Sequence, residues 1–295
     1  MANVELSKGE RLDQRVVSLL PSLSRSFAAE LIRDGKVSVN DQIITKAGTK
    51  IRPYDNVVLD YSPEEFIIPD IELPILYEDD DCVVIIKPTG LLTHSKGAFN
   101  PEPSVATWLH NRIVDEELLK QDADLLNNRA GIVHRLDRAT SGVMICAKTP
   151  AALKWLQRQF SQRRVKKTYV AVVSGQLPHQ QAVIDMPIER NPKKPQTFRT
   201  GINGKPAVTE YKVLRMNDKL SLLELKPQTG RTHQLRVHMA KLGHPIVGDT
   251  LYGGSAAARL LLHAWELEIT LPSHERKTFT APLPPDFDAA MGAGV

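Results

Sequence analysis

Residues 131–142, GIVHRLDRATSG, place a single acid, Asp137, between Arg135 and Arg138 in a stretch rich in Gly, Thr and Ser. The two arginines favour the ionised acid, because a nearby opposite charge stabilises a carboxylate. Such an acid is either half of a structural ion pair or a nucleophile, since carboxylates form covalent intermediates with sugars and bases. The residues alone leave both possibilities open.

The sequence on both sides of this stretch predicts an alternation of strands and helices. Apolar runs at residues 82–86 and 143–147 predict buried strands. Thr149 followed by Pro150 predicts the start of a helix, because proline suits the first helical position. Further strands are predicted at residues 169–173, 213–226 and 265–271. Residues 73–285 are therefore expected to form one mixed α/β domain, followed by a frayed tail at residues 286–295.

A second polar segment, residues 227–243, is rich in Arg and His. It predicts a helix that begins at Thr229-Gly230, buries Leu235, Met239 and Leu242, and ends at Gly243. Arg236 directly follows Leu235, so we expect its side chain beside the buried face. There it is either the partner of a buried carboxylate or a side chain that is solvated or binds a phosphate.

The histidines of this segment do not suggest a metal site. His233 and His238 are five residues apart, whereas two zinc ligands on one helix face are four apart, and no Glu or Cys completes a set. Walker, GxGxxG and GxSxG motifs are absent from the sequence, which argues against nucleotide binding and a serine hydrolase. Cys82 and Cys146 are expected to be buried free thiols.

Residues 10–61 predict a separate small unit. Leu12, Val16 and Leu19 form an amphipathic helix that ends at Pro21. A second helix, capped by Ser24 and closed by Gly35, carries the apolar residues Phe27, Ala28, Leu31 and Ile32. Strands follow at residues 36–39, 42–44 and 57–59, with Asn40-Asp41 as a turn. Residues 62–72, which are acidic and bear prolines, are expected to form a linker.

The charge and composition of the chain limit which partners it can have. Residues 82–295 hold 29 Lys and Arg against 18 Asp and Glu, a basic body that suits a polyanion. The chain has no run of eighteen apolar residues and no signal-peptide core at its start. We therefore expect a cytoplasmic protein with no membrane partner.

The stretch HRLDRATSG resembles the catalytic motif of the RluA/RluD-type pseudouridine synthases. The resemblance extends to KPTGLLTH (87–94), KKTYVAVVSG (166–175) and TGRTHQLRVH (229–238), followed by GHPIVGD (243–249) and YG (252–253), all in the family's order over about 200 residues. Ala139 stands where an acidic residue is often found. The resemblance implies an α+β fold with a mixed, mostly antiparallel sheet in the catalytic domain.

The same resemblance implies a role for each matching residue. Asp137 is the nucleophile, which attacks the ribose C1′ or the uracil ring or acts through a glycal. Tyr169 packs against the target base and assists in removing the C5 proton, and Arg236 pairs with Asp137. Arg135 fills the space left by the flipped uridine, and Arg231 is expected to contact RNA. Isomerisation requires no redox change and no added group, so no cofactor and no metal are expected.

Residues 10–61 resemble the S4 RNA-binding domain, which meets RNA with its second helix. The resemblance makes Arg25, Arg33 and Lys36 candidate phosphate contacts, and the alternative is a solvated helix face. Residues 176–212, rich in Pro and Lys, are a further candidate RNA surface. Leu262 and His263 are expected to be packing residues.

The sequence therefore predicts a monomeric enzyme that isomerises uridine in RNA, with 23S ribosomal RNA as the expected substrate. Alternatives are a tRNA-modifying member of the same family and a noncatalytic RNA-binding or ribosome-assembly factor. A glycoside hydrolase is not supported, because the motif places no second acid near Asp137.

Overall fold

A computed structural model of the 295-residue chain describes residues 9–21, 23, 25–61, 69–94, 102–110, 112–113 and 131–292. These residues divide into two compact units. The first contains residues up to 71 together with 94 and 102–110, and the second contains 72–93, 112–113 and 131–292. Most of the predicted linker, residues 62–68, lies outside the described residues.

The first unit consists of short helices and strands. They are β1 Glu10–Arg11, α1 Leu12–Leu19, α2 Arg25–Arg33, β2 Val37–Val39, β3 Gln42–Ile43, β4 Lys50–Ile51, β5 Val57–Leu59 and α3 Val105–His110. β2 pairs antiparallel with β3 and with β5, and β1 pairs with β4. Asn40 and Asp41 both have a positive φ, which confirms the predicted turn. The predicted cap Ser24 lies outside the described residues.

The predicted apolar faces of α1 and α2 form most of the core of this unit. Leu12, Val16, Ala28 and Ile32 are all fully buried. Leu19 is an exception, with 51% of its surface exposed at the last residue of α1. Its neighbour Leu20, the first residue after the helix, packs against the core instead, and Leu23 is buried in it.

The second unit contains a nine-stranded sheet. Its strands are β6 Ile75–Glu78, β7 Cys82–Lys87, β8 Ser141–Ala147, β9 Lys166–Ser174, β10 Gln181–Asp185, β13 Val208–Met216, β14 Leu220–Pro227, β15 Leu262–Thr270 and β16 Arg276–Thr280. The order is β10-β13-β14-β9-β15-β8-β7-β6, with β16 also on β15. Among the described strands, only β8 and β15 pair in parallel. The predicted mostly antiparallel α+β fold is confirmed.

Shorter elements complete this unit: the hairpin β11 Ile188–Arg190 with β12 Phe198–Thr200, and the helices α4 Pro150–Ser161, α5 Gln234–Lys241 and α6 Pro285–Met291. The predicted start of α4 is confirmed, because Thr149 Oγ1 accepts the backbone N–H of Ala152. α4 packs Ala152 and Leu156 against β7, β8 and β15. Cys82 on β7 and Cys146 on β8 are buried free thiols, as expected.

Expectations for two segments of this unit are wrong, the helix expected from Thr229 and the tail. The helix expected from Thr229 begins only at Gln234. The buried side chain of Gln234 accepts hydrogen bonds from Thr229 Oγ1 and the Arg231 N–H, and these hold the preceding residues in a turn. Leu242, expected to be buried, lies beyond the last turn and is 40% exposed.

The second segment is the tail expected at residues 286–295. Residues 286–291 belong to α6, whose Phe287 and Met291 pack in a buried cluster with Val170, Val172 and Leu261. Burial of these two apolar side chains holds the helix against the sheet. Residues 293–295 lie outside the described part of the chain. No helix within the described ranges is long and apolar enough to cross a membrane.

Candidate active site

Asp137 lies in the loop that immediately precedes β8. Its side chain is about one fifth exposed and lines a cleft of about 1250 Å³. The loop ends in a tight turn, since the N–H of Thr140 donates to the carbonyl of Asp137. Gly142 then enters β8 at φ +121°, against the backbone of Ala264 on β15. The sheet thereby fixes where the loop ends.

The segment 87–93 supports this loop from one side. Lys87 is fully buried and donates hydrogen bonds to the carbonyls of Pro88, Leu91 and Arg138, at 2.9, 2.8 and 3.2 Å. Thr93 Oγ1 donates to the carbonyl of Leu136 at 2.8 Å. Burial lowers the pKa of Lys87 to about 7, against an opposing effect of the Asp137 charge. No role for Lys87 followed from the sequence, although the residue begins one of the matching motifs.

His134 anchors the other end of the loop. Its Nε2 accepts the backbone N–H of Ile145 at 3.1 Å, and its ring stacks on Phe160 with centroids 4.5 Å apart. Burial lowers the pKa of His134 to about 3. The imidazole is therefore neutral at ordinary pH and serves as an acceptor for β8.

Arg236 reaches two acids. Its Nη1 lies 3.7 Å from Asp137 Oδ2, so the predicted pair is present as a long contact. Its shorter hydrogen bonds, both 2.7 Å, run from Nε and Nη2 to the two oxygens of Asp249, whose side chain is fully buried. Burial opposes the charged form, yet the hydrogen bond to Asp249 raises the pKa of Arg236. Asp249 was not among the site residues expected from the sequence, where it is a lone acid at the end of the motif at residues 243–249.

A histidine and a tyrosine complete this side of the cleft. His233 Nε2 lies 3.8 Å from Asp137 Oδ2, and its Nδ1 lies 2.8 Å from Tyr252 Oη. Tyr252 Oη also accepts the backbone N–H of Phe198 at 2.9 Å. The guanidinium of Arg236 lies 5.0 Å from the centre of the Tyr252 ring. Burial is the main cause that lowers the pKa of His233, with the Asp137 charge acting in the opposite direction.

The strand β9 contributes the opposite wall of the cleft. Tyr169 and Lys167 are two residues apart, so both side chains project from the same face. Burial raises the pKa of Tyr169, and the Asp137 charge raises it further. The phenol is therefore protonated at neutral pH.

The remaining predicted contacts are spread over both units. Arg135 is exposed and lines the cleft, and Arg231 lines it as well while its Nε donates to the carbonyl of Pro206. In the first unit Arg25 pairs with Asp13 at 3.1 Å and Lys36 with Asp60 at 3.5 Å. Arg33 donates to the carbonyl of Ala29 in its own helix.

Leu262 and His263 are both buried, as expected of packing residues, and Leu262 also lines the cleft. His263 Nδ1 lies 2.7 Å from Ser141 Oγ, which also accepts a hydrogen bond from Arg259. Within the described ranges, no three or more His, Cys, Asp or Glu side chains are grouped so that they could hold a metal ion. The lack of a cofactor stays a prediction.

The chain is similar in sequence to two protein families and to named relatives. The sequence matches the RNA pseudouridylate synthase family over residues 81–241 and the S4 domain family over residues 10–57. It is 37% identical to a ribosomal large subunit pseudouridine synthase D of Vibrio parahaemolyticus, covering 97% of this chain and 91% of the relative. For the protein of the same name in Escherichia coli K12 the values are 40%, 83% and 73%.

A solved structure is also similar. Human RNA Pseudouridylate Synthase Domain Containing 1 superposes with a TM-score of 0.59 at 30% identity, over 74% of this chain and 87% of the human one.

Proposed function

This chain belongs to the RNA pseudouridylate synthase family, and from that premise we propose that its substrate is large-subunit ribosomal RNA and that Asp137 is its nucleophile. The observation that carries the proposal is the position of Asp137 in the cleft, within 3.7 Å of Arg236 and 3.8 Å of His233. Two positive or hydrogen-donating groups beside one carboxylate stabilise its negative charge and orient it.

Pseudouridine formation breaks the bond between C1′ of the ribose and N1 of the uracil. It then forms a bond from C1′ to C5 and removes the C5 proton. Attack on C1′, attack on the uracil ring and a glycal route all require an ionised carboxylate beside the nucleotide. Asp137 supplies it, and the buried Asp249–Arg236 pair gives that carboxylate a fixed cationic neighbour.

Tyr169 is proposed to pack against the uracil. Its position in the wall of the cleft suits this role. Because its pKa is raised, the phenol keeps its proton, which weighs against direct removal of the C5 proton by a phenolate. We therefore assign Tyr169 to holding the base during its rotation.

Reaching a uridine inside folded RNA requires that the nucleotide leave its stack, at a cost of a few kcal/mol. Arg135 is exposed in the cleft two residues before Asp137, so it is placed to fill the vacated space. Arg231, on the other wall, is proposed to contact the RNA backbone. Contacts of this kind position a protein on RNA without reading its sequence.

The S4 unit is proposed to add phosphate contacts through Arg25, Arg33 and Lys36, all of them exposed at or next to α2. The pair of Lys36 with Asp60 is exposed on both sides, so exchanging that carboxylate for a phosphate costs little. Arg25 is half exposed, and its buried partner Asp13 keeps two hydrogen bonds from Arg11 when Arg25 turns to a phosphate. We further propose that the protein acts as a monomer in the cytoplasm, where ribosomal RNA is made in bacteria, and that it requires no cofactor.

The test is pseudouridine mapping of total RNA from cells with and without this protein, followed by complementation with Asp137→Asn. We expect one or more uridines of large-subunit RNA to lose the modification and the variant not to restore it. A stable adduct with 5-fluorouridine RNA should form with the wild type alone. Loss confined to tRNA would indicate the tRNA-modifying alternative. Full turnover by Asp137→Asn would refute the assignment of the nucleophile.

A further inference from the structure

Lys167 is a cation in the wall of the cleft that the proposed chemistry does not use. It lies on β9, two residues before Tyr169, and is half-buried. Among the described residues, its Nζ has neither a hydrogen-bond partner nor a carboxylate within 4.0 Å. The adjacent Lys166 differs, because its Nζ pairs with Glu268 at 3.1 Å.

An unpaired ammonium in a half-buried position costs free energy, since it has lost water and gained no counter-ion. Burial lowers the pKa of Lys167, and the charge of Arg163 lowers it further. Arg163 also lines the cleft and adds positive potential at Lys167, and a half-buried positive site of this kind favours an anionic ligand. In a protein of this family the anion at hand is an RNA phosphate.

The position of Lys167 relative to Tyr169 indicates a phosphate that adjoins the base held by Tyr169. Two residues along a strand span roughly 6.6 Å on one face, a length comparable with the separation of a base from its adjoining phosphate. Gly230 lies across from the ammonium, and a Cβ built on it would be 3.9 Å from Nζ. The absence of a side chain at residue 230 therefore leaves room for a ligand beside the charge.

We propose that Lys167 Nζ binds the phosphodiester group that adjoins the uridine undergoing isomerisation, a proposal that rests on the function proposed above. The cation would hold the flipped nucleotide by its backbone while Tyr169 packs on its base. This division leaves the base free to rotate and keeps the sugar in place. The ammonium acts on the phosphate as a point charge, and a contact of this kind carries no preference for RNA sequence.

The experiment combines a protein change with a phosphate change. The probe is a synthetic RNA hairpin that carries the mapped uridine, with a neutral methylphosphonate in place of the phosphodiester on its 5′ or its 3′ side. Dissociation constants are measured in the Asp137→Asn background, so that binding is separated from turnover. Lys167→Met removes the charge and keeps an apolar stem of similar length. Lys212→Met is the matched control, because Lys212 is an exposed lysine of β13 outside the cleft lining.

With Lys167 present, we expect one of the two methylphosphonates to weaken binding about tenfold, as for a charge-assisted hydrogen bond. Lys167→Met should weaken binding of unmodified RNA by a similar factor and make it insensitive to that methylphosphonate. Its plot of log affinity against log salt should be shallower by about 0.7, one charge on a single strand. Lys212→Met should change neither quantity.

A Lys167→Met variant that binds RNA as tightly as the wild type does would overturn the proposal. So would a result in which Lys167→Met and the methylphosphonate weaken binding by factors that multiply when the two changes are combined. Failure of this proposal is distinguishable from failure of the proposed function. If the wild-type protein forms pseudouridine in the hairpin and the two changes act independently, only the role of Lys167 is refuted. If it forms none, the proposed function fails and this inference fails with it.

Discussion

Arg236 is bound by both oxygens of Asp249, at 2.7 Å each, and presents only its third nitrogen to Asp137, at 3.7 Å. The fork of the guanidinium is thus fixed by a fully buried acid thirteen residues further along the chain. A bidentate pair of this kind sets direction as well as charge. Asp249 therefore supports the orientation of the cation that faces the proposed nucleophile.

Arg236→Met is expected to lower both stability and the single-turnover rate at saturating RNA. The change leaves the buried Asp249 without its partner, which costs about 3–5 kcal/mol. Arg236→Lys should retain part of the rate, because lysine keeps the charge and loses the planar fork. If Arg236→Met instead binds RNA more weakly, with a normal saturated rate, Arg236 is a phosphate contact.

Asp249→Asn is the matched comparison for that experiment. It removes the same buried pair while keeping the arginine near Asp137. Stability should fall by a similar amount, whereas the saturated rate should fall less than in Arg236→Met. Equal rate losses would indicate that Arg236 matters only as a structural partner of Asp249.

Tyr252→Phe should reduce stability by about 1–2 kcal/mol, since the Phe198 N–H loses its acceptor. The carboxylate of Asp137 faces His233 Nε2 and favours the proton on that nitrogen, which leaves Nδ1 to accept a hydrogen bond from the Tyr252 hydroxyl. Without the hydroxyl this hydrogen bond no longer supports the tautomer, and we expect a slower saturated rate with little change in RNA affinity.

Tyr211→Phe is the control for the tyrosine experiment. Its ring is buried in the core, and no hydrogen bond of its hydroxyl occurs among the described residues. Its effect on stability should stay within about 0.5 kcal/mol. A Tyr252→Phe variant as active and stable as Tyr211→Phe would contradict the role of Tyr252.

The lowered pKa of His134 is expected to make the folded protein less stable in acid. Its pKa is about 3 in the folded protein and 6.5 when unperturbed, so the unfolded chain takes up the proton first. The contribution is therefore fully present above pH 6.5 and is lost as the pH falls from 6.5 towards 3. His134→Gln can still accept the Ile145 N–H but does not titrate. Urea unfolding over this window should show a shallower pH dependence for the variant, and parallel curves would exclude this source.

Gly142→Ala should be strongly destabilising, because an added Cβ would overlap the backbone of Ala264 where β8 meets β15. Overpacking together with backbone strain amounts to about 2–6 kcal/mol. Gly90 provides the control: its φ of +84° is also positive, yet nothing lies within 4 Å of a Cβ there. Gly90→Ala should cost only about 1–2 kcal/mol. Thermal unfolding of the two variants measures the difference.

Deleting residues 1–61 should weaken RNA binding more than it slows the chemical step. The S4 unit supplies proposed phosphate contacts, whereas every proposed catalytic residue lies in the second unit. The measurement is the single-turnover rate as a function of RNA concentration. A saturated rate as low as that of Asp137→Asn would contradict this separation of binding and chemistry.

Local signals in the sequence determined much of the protein. The cap at Thr149, the turn at Asn40-Asp41 and the apolar faces of α1 and α2 depend on neighbouring residues, and the structure confirms them. The spaced motifs determined the family, because their joint order over about 200 residues is specific. The sequence also singled out Asp137, by the unusual position of one acid between two arginines.

Contacts between distant residues decided the rest. Gln234 donates to the Val208 carbonyl and to Thr209 Oγ1, and these bonds across the fold, together with its bonds to the preceding turn, set where α5 begins. Three carbonyls, one of them some fifty residues away, make a buried lysine possible at residue 87. Arg236 takes Asp249 as its closer partner because folding buries that acid and leaves Asp137 partly open to the cleft. A one-dimensional pattern specifies which groups are present, whereas pairing and desolvation depend on which groups the sheet brings together.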